Sequence, residues 1–494
     1  MSSIDDSFSA SDSASGYSAS QRRLSPALSD SVYAQALADT LSSIAVSGED
    51  SAGNGRVLAV AYSGGLDSSV LLDVAAAYAR QHHLKLFAFH IHHGLSIHAD
   101  QWLAHCRQRC QLAGIAFDSE QVALQARDKS GVEEAARLAR YAALGRLSLR
   151  HEVDILLSAH HQDDQAETVL LQLLRGSGVA GLSGMDAFNT APGLLGSEAL
   201  TIARPLLSFS RAQLESYAQH HALPHIEDES NADTRYARNN LRHRVMPALA
   251  ASFPGFQERF ARTAQHAASA QKLLIELGQQ DFSACCEHDY LLMAPMRELS
   301  EERFYNLLRY WFGLRGMRMP SSAWLLELRA QLLQAKDEAQ LCVSHPDGEI
   351  HRYRGRVFLT PRRTPPDEAQ ADLHFVWSGE DCLRFPAFGG TLHFDRCAAE
   401  VDAQAGAGVD AQWLRGKDLS VRVRSGGERV RLAFNRPAKS LKYHYQSLDI
   451  PAWERPFLPM VFVGEELLYA AGIGMDCSAP AASAERISLR WQSE

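Results

Sequence analysis

Four strand-like segments, the first two of them apolar runs, each followed by helical periodicity, constrain this chain more than any other feature. The segments fall at 57–62, 84–91, 115–122 and 154–159. Helical patterns follow each of them, to about 80 and then over 99–113, 132–150 and 163–174. Strands alternating with helices build a parallel sheet covered on both sides. Ligands of such sheets sit beyond the carboxyl ends of the strands. The first run ends in Ser63-Gly64-Gly65, so its carboxyl end is a glycine turn leading into a helix.

The chain has 494 residues, enough for about three domains. Hydrophobic residues make up 46% and charged residues 22%, the balance of a globular protein. No apolar run reaches the roughly 20 residues of a membrane helix, so no membrane partner is expected. The eight cysteines form no CxxC pair; Cys106/Cys110 and Cys285/Cys286 are the close ones. That excludes a disulfide or CxxC-type zinc framework and points to a reducing, cytoplasmic setting. The net charge of −9 speaks against a general nucleic-acid binder. Between Arg415 and Lys442, however, nine Arg/Lys stand against two acids, and one basic face suffices.

The expected class is α/β: a parallel-sheet domain, then a mostly helical middle domain and a small α+β C-terminal domain. The first 30 residues hold 11 serines, so residues 1–50 read as a disordered Ser-rich tail, with one helix allowed over 31–48. The α/β domain is expected over 56–245, the helical domain over 246–360 and the last domain over 373–494. Residues 341–359 read as a small hairpin turning near Asp347-Gly348.

Ser63-Gly64-Gly65-Leu66-Asp67-Ser68 is the strongest chemical signal. Two glycines let the backbone turn sharply and approach an anion. Their N–H groups and the helix N-terminus favour phosphate, and the hydroxyls of Ser63 and Ser68 add donors. Asp67 belongs beside phosphates only if a divalent cation joins them, which implies Mg2+. A plain βα turn with a Ser or Asp cap is the alternative. No GxxxxGK[ST] is present, and the GxGxxG at Gly176, Gly178 and Gly181 follows a helix, so it lacks the context of a dinucleotide fingerprint.

Further residues cluster at the same sheet edge. Glu133, Arg137 and Arg140 share a helix face, as a phosphate clamp or as a solvated salt-bridge face. Asp164 and Glu167 stand at i and i+3 near a helix N-terminus. They read as an ammonium-binding, proton-accepting pair or as dipole-favoured caps. His160 ends the strand before them. Zinc on His90, His92, His93, His160 and His161 is disfavoured, since no Cys joins them and no HExxH spacing appears. Arg235, Arg238 and Arg242 make a basic stripe, suited to RNA backbone or to a polar seam with Asp228 and Asp233. Arg424, Arg429, Arg431, Lys439 and Lys442, interleaved with Tyr443 and Tyr445, suit RNA phosphates and bases, or else a solvated β-rich face.

SGGLDS resembles the PP-loop of the N-type ATP pyrophosphatases. With HIHHGL (90–95), GVEEAARLARY (131–141), AHHQDDQAET (159–168) and IEDESNAD (226–233), the chain resembles the tRNA(Ile)-lysidine synthetase family. That resemblance implies ATP bound by Ser63, Gly64, Gly65, Leu66, Asp67 and Ser68, with Mg2+ on Asp67. It implies that Asp67, Arg137, His160, Asp164 and Glu167 are catalytic, and that the last domain binds the tRNA acceptor end. It also implies free L-lysine joined to C2 of the wobble cytidine of a CAU-anticodon isoleucine tRNA through an adenylated intermediate. The product changes codon reading from AUG to AUA, and a homodimer is expected. A PP-loop tRNA cytidine thiolase and an inactive tRNA-binding protein are the other readings.

Overall fold

The computed structural model describes residues 26–47, 56–92, 94, 98–122, 132–227, 234–235, 237–334, 341–363, 372–397, 408–480 and 485–493. The chain divides into two compact units, up to Leu273 and from Leu274.

The first unit opens with helix α1 (Pro26–Ser47), followed by β1 (Val57–Ala61), α2 (Leu66–His82), β2 (Lys85–His92), α3 (Ala99–Ala113) and β3 (Ala116–Gln121). Then come α4 (Val132–Arg150), β4 (Ile155–Leu157), α5 (Gln162–Leu174), α6 (Val179–Leu182) and β5 (Phe188–Thr190). The unit continues through α7 (Pro192–Leu195), β6 (Thr201–Ala203) and α8 (Arg211–His220). The strands form one sheet in the order β3-β2-β1-β4-β6-β5, parallel except for β5 at the edge. Leu58, Val60, Ile155 and Leu157 face one core layer, while Ala59, Phe87, Phe89, Leu156 and Ile202 face the other. Each fully buried Leu or Ile there contributes about 1.5–3 kcal/mol of transfer free energy. The four expected strands and their helices are all present. β6, only three residues long and given no element by the sequence pattern, extends the parallel sheet beside β4.

α1 is the helix allowed over 31–48 but starts earlier, at Pro26, and so corrects the tail reading for residues 26–47. Tyr33, Leu37 and Leu41 recur at helical spacing and are buried in the same core as β1 and α2. Tyr33 stacks on Phe209 with centroids 4.3 Å apart. Residues 1–25 and 48–55 lie outside the described residues.

α8 starts at a capping box: Ser210 Oγ accepts from Gln213 N–H, and Gln213 Oε1 accepts from Ser210 N–H at 2.8 Å. Beyond it, Ala237–Asn240 and Met246–Ser252 are α-helical and are joined by a π-helical turn, Leu241–Val245. A long helix, Phe256–Cys285, follows.

The second unit holds the expected helices of the middle region together with a sheet, and a strand-rich C-terminal region. Helices Glu301–Leu314 and Ser322–Gln334 pack on a five-stranded antiparallel sheet through Phe304, Leu308, Trp311, Leu328, Ile350 and Val357. The expected hairpin is part of that sheet: Leu341–His345 pairs with Gly348–Tyr353, which pairs with Arg356–Thr360. Residues from Asp372 onward form a five-stranded and a four-stranded sheet around one core that includes Trp377, Leu392, Leu419, Val461 and Ile487. No described helix is long and apolar enough to cross a membrane.

Candidate functional site

The turn between β1 and α2 is shaped by its glycines. Gly64 has φ of +87°, and a Cβ there would meet Cys106 Sγ at 2.8 Å and Ile226 Cδ1 at 3.1 Å. Both conformation and space therefore require glycine. Its carbonyl accepts from Ile226 N–H at 2.9 Å, which ties the turn to the segment after α8. Gly65, at the N-cap of α2, has no side chain to cap the helix, so first-turn N–H groups are left for an anion. Ser63 Oγ and Ser68 Oγ lie 3.1 Å apart, and Ser68 Oγ also donates to Gly65 O at 3.0 Å.

Asp67, in the first turn of α2, is the pivot. Its Oδ2 pairs with the guanidinium of Arg211 and lies 3.7 Å from His161 Nε2. Its Oδ1 is buried without a hydrogen-bond partner. Burial raises the pKa of the carboxyl, against the pull of His161 and Arg211. A desolvated carboxylate oxygen with no donor is a fitting ligand for a hard cation, so the site accommodates Mg2+ at Asp67. Arg211 is held in place by Asp163, whose Oδ2 accepts the Arg211 N–H at 2.8 Å.

The acid pair lies on α5. Asp164 Oδ2 accepts the His161 N–H at 3.1 Å, and its carboxylate lies 3.4 Å from His161 Nε2. His161 thus stands between Asp67 and Asp164. Glu167 is almost fully buried, at 1% exposure. It accepts from Arg238 Nε at 2.8 Å, from Arg242 Nε at 2.8 Å and from Arg242 Nη2 at 3.1 Å. Arg242 Nη2 also reaches Asp164 Oδ1 at 3.2 Å. Burial alone would raise the pKa of Asp164, but His161, His160 and Arg238 outweigh it and hold the carboxyl below its usual range. The pKa of Arg242 rises because the bond to Glu167 and the charges of Glu167 and Asp164 outweigh its burial. The π-helical turn carries Arg242, and such turns recur where a side chain must be re-aimed at a site.

His160, at the end of β4, shares a 2.8 Å hydrogen bond between its Nδ1 and Ser158 Oγ. Burial lowers its pKa, with Asp164 opposing and Arg204, Arg238 and Arg140 reinforcing the shift. The ring is therefore neutral at pH 7. His90 is tied to the end of β1 through Nδ1 and Tyr62 O at 3.0 Å, and burial keeps it neutral too.

The structure thus gathers Ser63, Gly64, Gly65, Leu66, Asp67, Ser68, His160, Asp164 and Glu167 in the first unit. Arg238 and Arg242 join them: both turn inward onto the acids, the polar-seam reading rather than an open basic stripe. The partners expected for that seam, Asp228 and Asp233, lie outside the described residues, and Asp164 and Glu167 take their place. Arg235 is exposed. Arg137 is half-exposed, 3.6 Å from Glu134 and over the ring of Tyr141 at 5.3 Å; among the described residues it pairs with neither site acid. The side chain of Glu133 lies outside the described residues. Sequence reasoning missed His161 and Arg211. His161 was legible as the residue before a helix start, whereas Arg211 carried no signal because only the fold brings it to Asp67.

In the second unit, Arg429, Arg431, Lys442 and Tyr443 are exposed, and Lys439 Nζ sits 3.7 Å from the centroid of the Tyr443 ring. Arg429 Nη2 donates to Ala438 O at 2.5 Å, while Arg424 leans toward Glu428 at 3.7 Å. Tyr445 corrects the aromatic reading. It is fully buried, its hydroxyl donates to Ala471 O at 3.4 Å, and it belongs to the core with Val430 and Leu441.

Comparison with known proteins fits this geometry. Residues 35–249 match the family model of a PP-loop domain, 291–358 a TilS substrate binding domain and 419–491 a TilS substrate C-terminal domain. A tRNA(Ile)-lysidine synthase of Burkholderia pseudomallei is 42% identical over 447 residues, covering 85% of this chain and 89% of the relative. One from Ralstonia nicotianae is 41% identical over 433 residues, covering 86% and 90%. One from Serratia proteamaculans is 38% identical over 428 residues, covering 85% and 91%.

Proposed function

Since the chain belongs to the tRNA(Ile)-lysidine synthase family of PP-loop ligases, we propose that it joins free L-lysine to C2 of the wobble cytidine in the CAU anticodon of an isoleucine tRNA. In this reading O2 of the cytidine attacks the α-phosphate of ATP and pyrophosphate leaves. The ε-amine of lysine then attacks C2, and AMP leaves with O2. The modified anticodon reads AUA in place of AUG. The setting is cytoplasmic.

One observation carries the reading: an anion-binding glycine turn and a buried acid pair are joined through His161, within 3.7 Å of Asp67 and 3.4 Å of Asp164. Nucleotide phosphates and an amine can therefore be held side by side. Ser63, the turn N–H groups and Ser68 receive the phosphates. Mg2+ would be held by Asp67, where it supplies charge to offset the departing pyrophosphate. Asp164 and Glu167 hold the lysine ammonium, sharing it with the guanidinium groups already on them. A free lysine amine has a pKa near 10.4, so a base must take its proton. His160, kept neutral, has a lone pair for it. Arg137 orients substrate from α4, and Arg235 contacts the tRNA from outside the acid pair. Arg424, Arg429, Arg431, Lys439 and Lys442 hold tRNA phosphates in the C-terminal domain. The catalytic, middle and C-terminal domains span 56–245, 246–360 and 373–494, and two copies act as a homodimer.

A thiolase reading needs reactive or cluster-bound thiolates. Cys106 and Cys110, the close pair nearest the turn, are buried in the core, and burial pushes their thiols up to about 12 and about 11. Incubation with labelled lysine, ATP and the CAU-bearing isoleucine tRNA, followed by nucleoside analysis, tests the proposal. Label in a modified cytidine supports it; label that never enters the tRNA refutes it.

A further inference from the structure

A second cluster of chemistry-bearing side chains lies in the second unit, on the antiparallel pair Leu341–His345 and Gly348–Tyr353. In its register Cys342 stands directly opposite His351, and Glu349 stands opposite Ser344. Residues two apart on a strand share a face, so Cys342, Glu349 and His351 meet on one side of the sheet. One ligand atom from each lies within 4.8 Å of the others, and His351 Nε2 is 3.3 Å from Glu349 Oε2.

We propose that Cys342, Glu349 and His351 form a zinc site with three protein ligands and one open position. Thiolate, imidazole and carboxylate together suit Zn2+, and three protein donors leave the fourth place of a tetrahedron to water or a ligand. A tetrahedral ion at roughly 2.0–2.3 Å from each donor sets the donors roughly 3.3–3.8 Å apart. The cluster therefore needs to contract by about 1.5 Å at most, which side-chain torsions of an exposed cysteine and a half-buried glutamate supply.

The surroundings favour a held ligand over a chance meeting. The His351 ring is buried and stacks on Trp453 with centroids 4.3 Å apart and planes at 13°, which fixes its orientation as outer-shell partners of metal-bound histidines do. Glu349 and His351 line a cavity of about 300 Å3 with Trp453, Glu454 and Arg363, so a ligand on the open position has room. The bland alternative is a hydrogen-bonded polar trio on a half-exposed strand pair. A metal separates the two readings, because binding must remove the thiol proton.

The test uses the full-length protein, stripped with chelator and titrated with Co2+ alone. The expected result is one equivalent bound, with a thiolate-to-cobalt charge-transfer band that Zn2+ displaces. Cys342→Ser removes the band, and Glu349→Gln weakens binding at least about 10-fold. Because Cys342 is exposed, the serine variant is expected to keep its fold, which circular dichroism checks. Absence of the band, or its persistence in Cys342→Ser, overturns the proposal.

Discussion

Arg242 grips Glu167 with two of its nitrogens, Nε to Oε1 at 2.8 Å and Nη2 to Oε2 at 3.1 Å, and the same Nη2 reaches Asp164 at 3.2 Å. A nearly buried carboxylate is thereby neutralised from a π-helical turn seventy-five residues further along the chain. Arg238 supplies a second guanidinium at 2.8 Å. A buried charge with two partners tolerates the loss of one far better than the loss of both.

Arg238→Ala or Arg242→Ala singly should each cost about 1.5–3 kcal/mol, the worth of a hydrogen bond to a charged group. The double variant should cost more than the sum, because Glu167 is then left buried and unpaired. Denaturant unfolding of the four proteins of this cycle measures the coupling. Strict additivity would mean that the two arginines do not act on one carboxylate.

Gly64→Ala should destabilise the loop twice over. An L-residue is strained at φ of +87°, and the new Cβ would press on Cys106 Sγ. The expected cost is about 1–3 kcal/mol, with loss of ATP binding in calorimetry. Adding Cys106→Ala should recover part of the stability and none of the backbone strain. A Gly64→Ala protein with unchanged melting temperature and ATP affinity would contradict the tight-turn reading.

His160 gives a pH signature whose sign is fixed. Its folded pKa lies below the ordinary 6.5, chiefly through burial. Below about pH 6.5 the unfolded chain takes up a proton there that the folded chain refuses, so stability falls as pH drops toward the folded pKa. Asp164, depressed below 3.8 by its cationic neighbours, adds a loss only at lower pH still. Stability profiles of the natural protein and His160→Gln should diverge between neutral pH and about pH 5, the variant being the flatter. Parallel profiles would show that His160 is not held neutral.

The basic surface of the last domain is tested by salt. Replacing Arg429, Arg431, Lys439 and Lys442 together with Gln should weaken tRNA binding at low salt. It should also flatten log K against log salt by about 0.7–0.9 for each phosphate that the altered face no longer neutralises. Filter binding across a salt series reads both. Unchanged affinity and slope would remove this face from the tRNA interface.

Much of the first unit was legible because its first two strands are apolar runs and strand-like segments alternate with helical periodicity along the chain. The glycine turn and the pair Asp164/Glu167 were legible because each lies within a few residues of chain. What was missed came from long-range juxtaposition or short length. Thr201–Ala203 is too short for any periodicity, and Arg242 sits in a π-helical turn, which spacing rules for α-helices do not foresee. Tyr445 reads as an RNA-stacking partner beside Tyr443, yet it occupies the opposite, buried face of the helix Leu441–Ser447. Cys342, Glu349 and His351 come together only once the turn after His345 sets the strand register.

The central claim is that the turn at Ser63–Ser68 and the carboxylate of Asp67 split ATP only when the tRNA is there to receive AMP. Pyrophosphate release should be measured with ATP and Mg2+, with and without CAU-bearing isoleucine tRNA, for the natural protein and Asp67→Ala. The expected result is release that requires the tRNA and falls at least about 100-fold in Asp67→Ala while tRNA binding is retained. Release that is indifferent to the tRNA, or undiminished in Asp67→Ala, would contradict it.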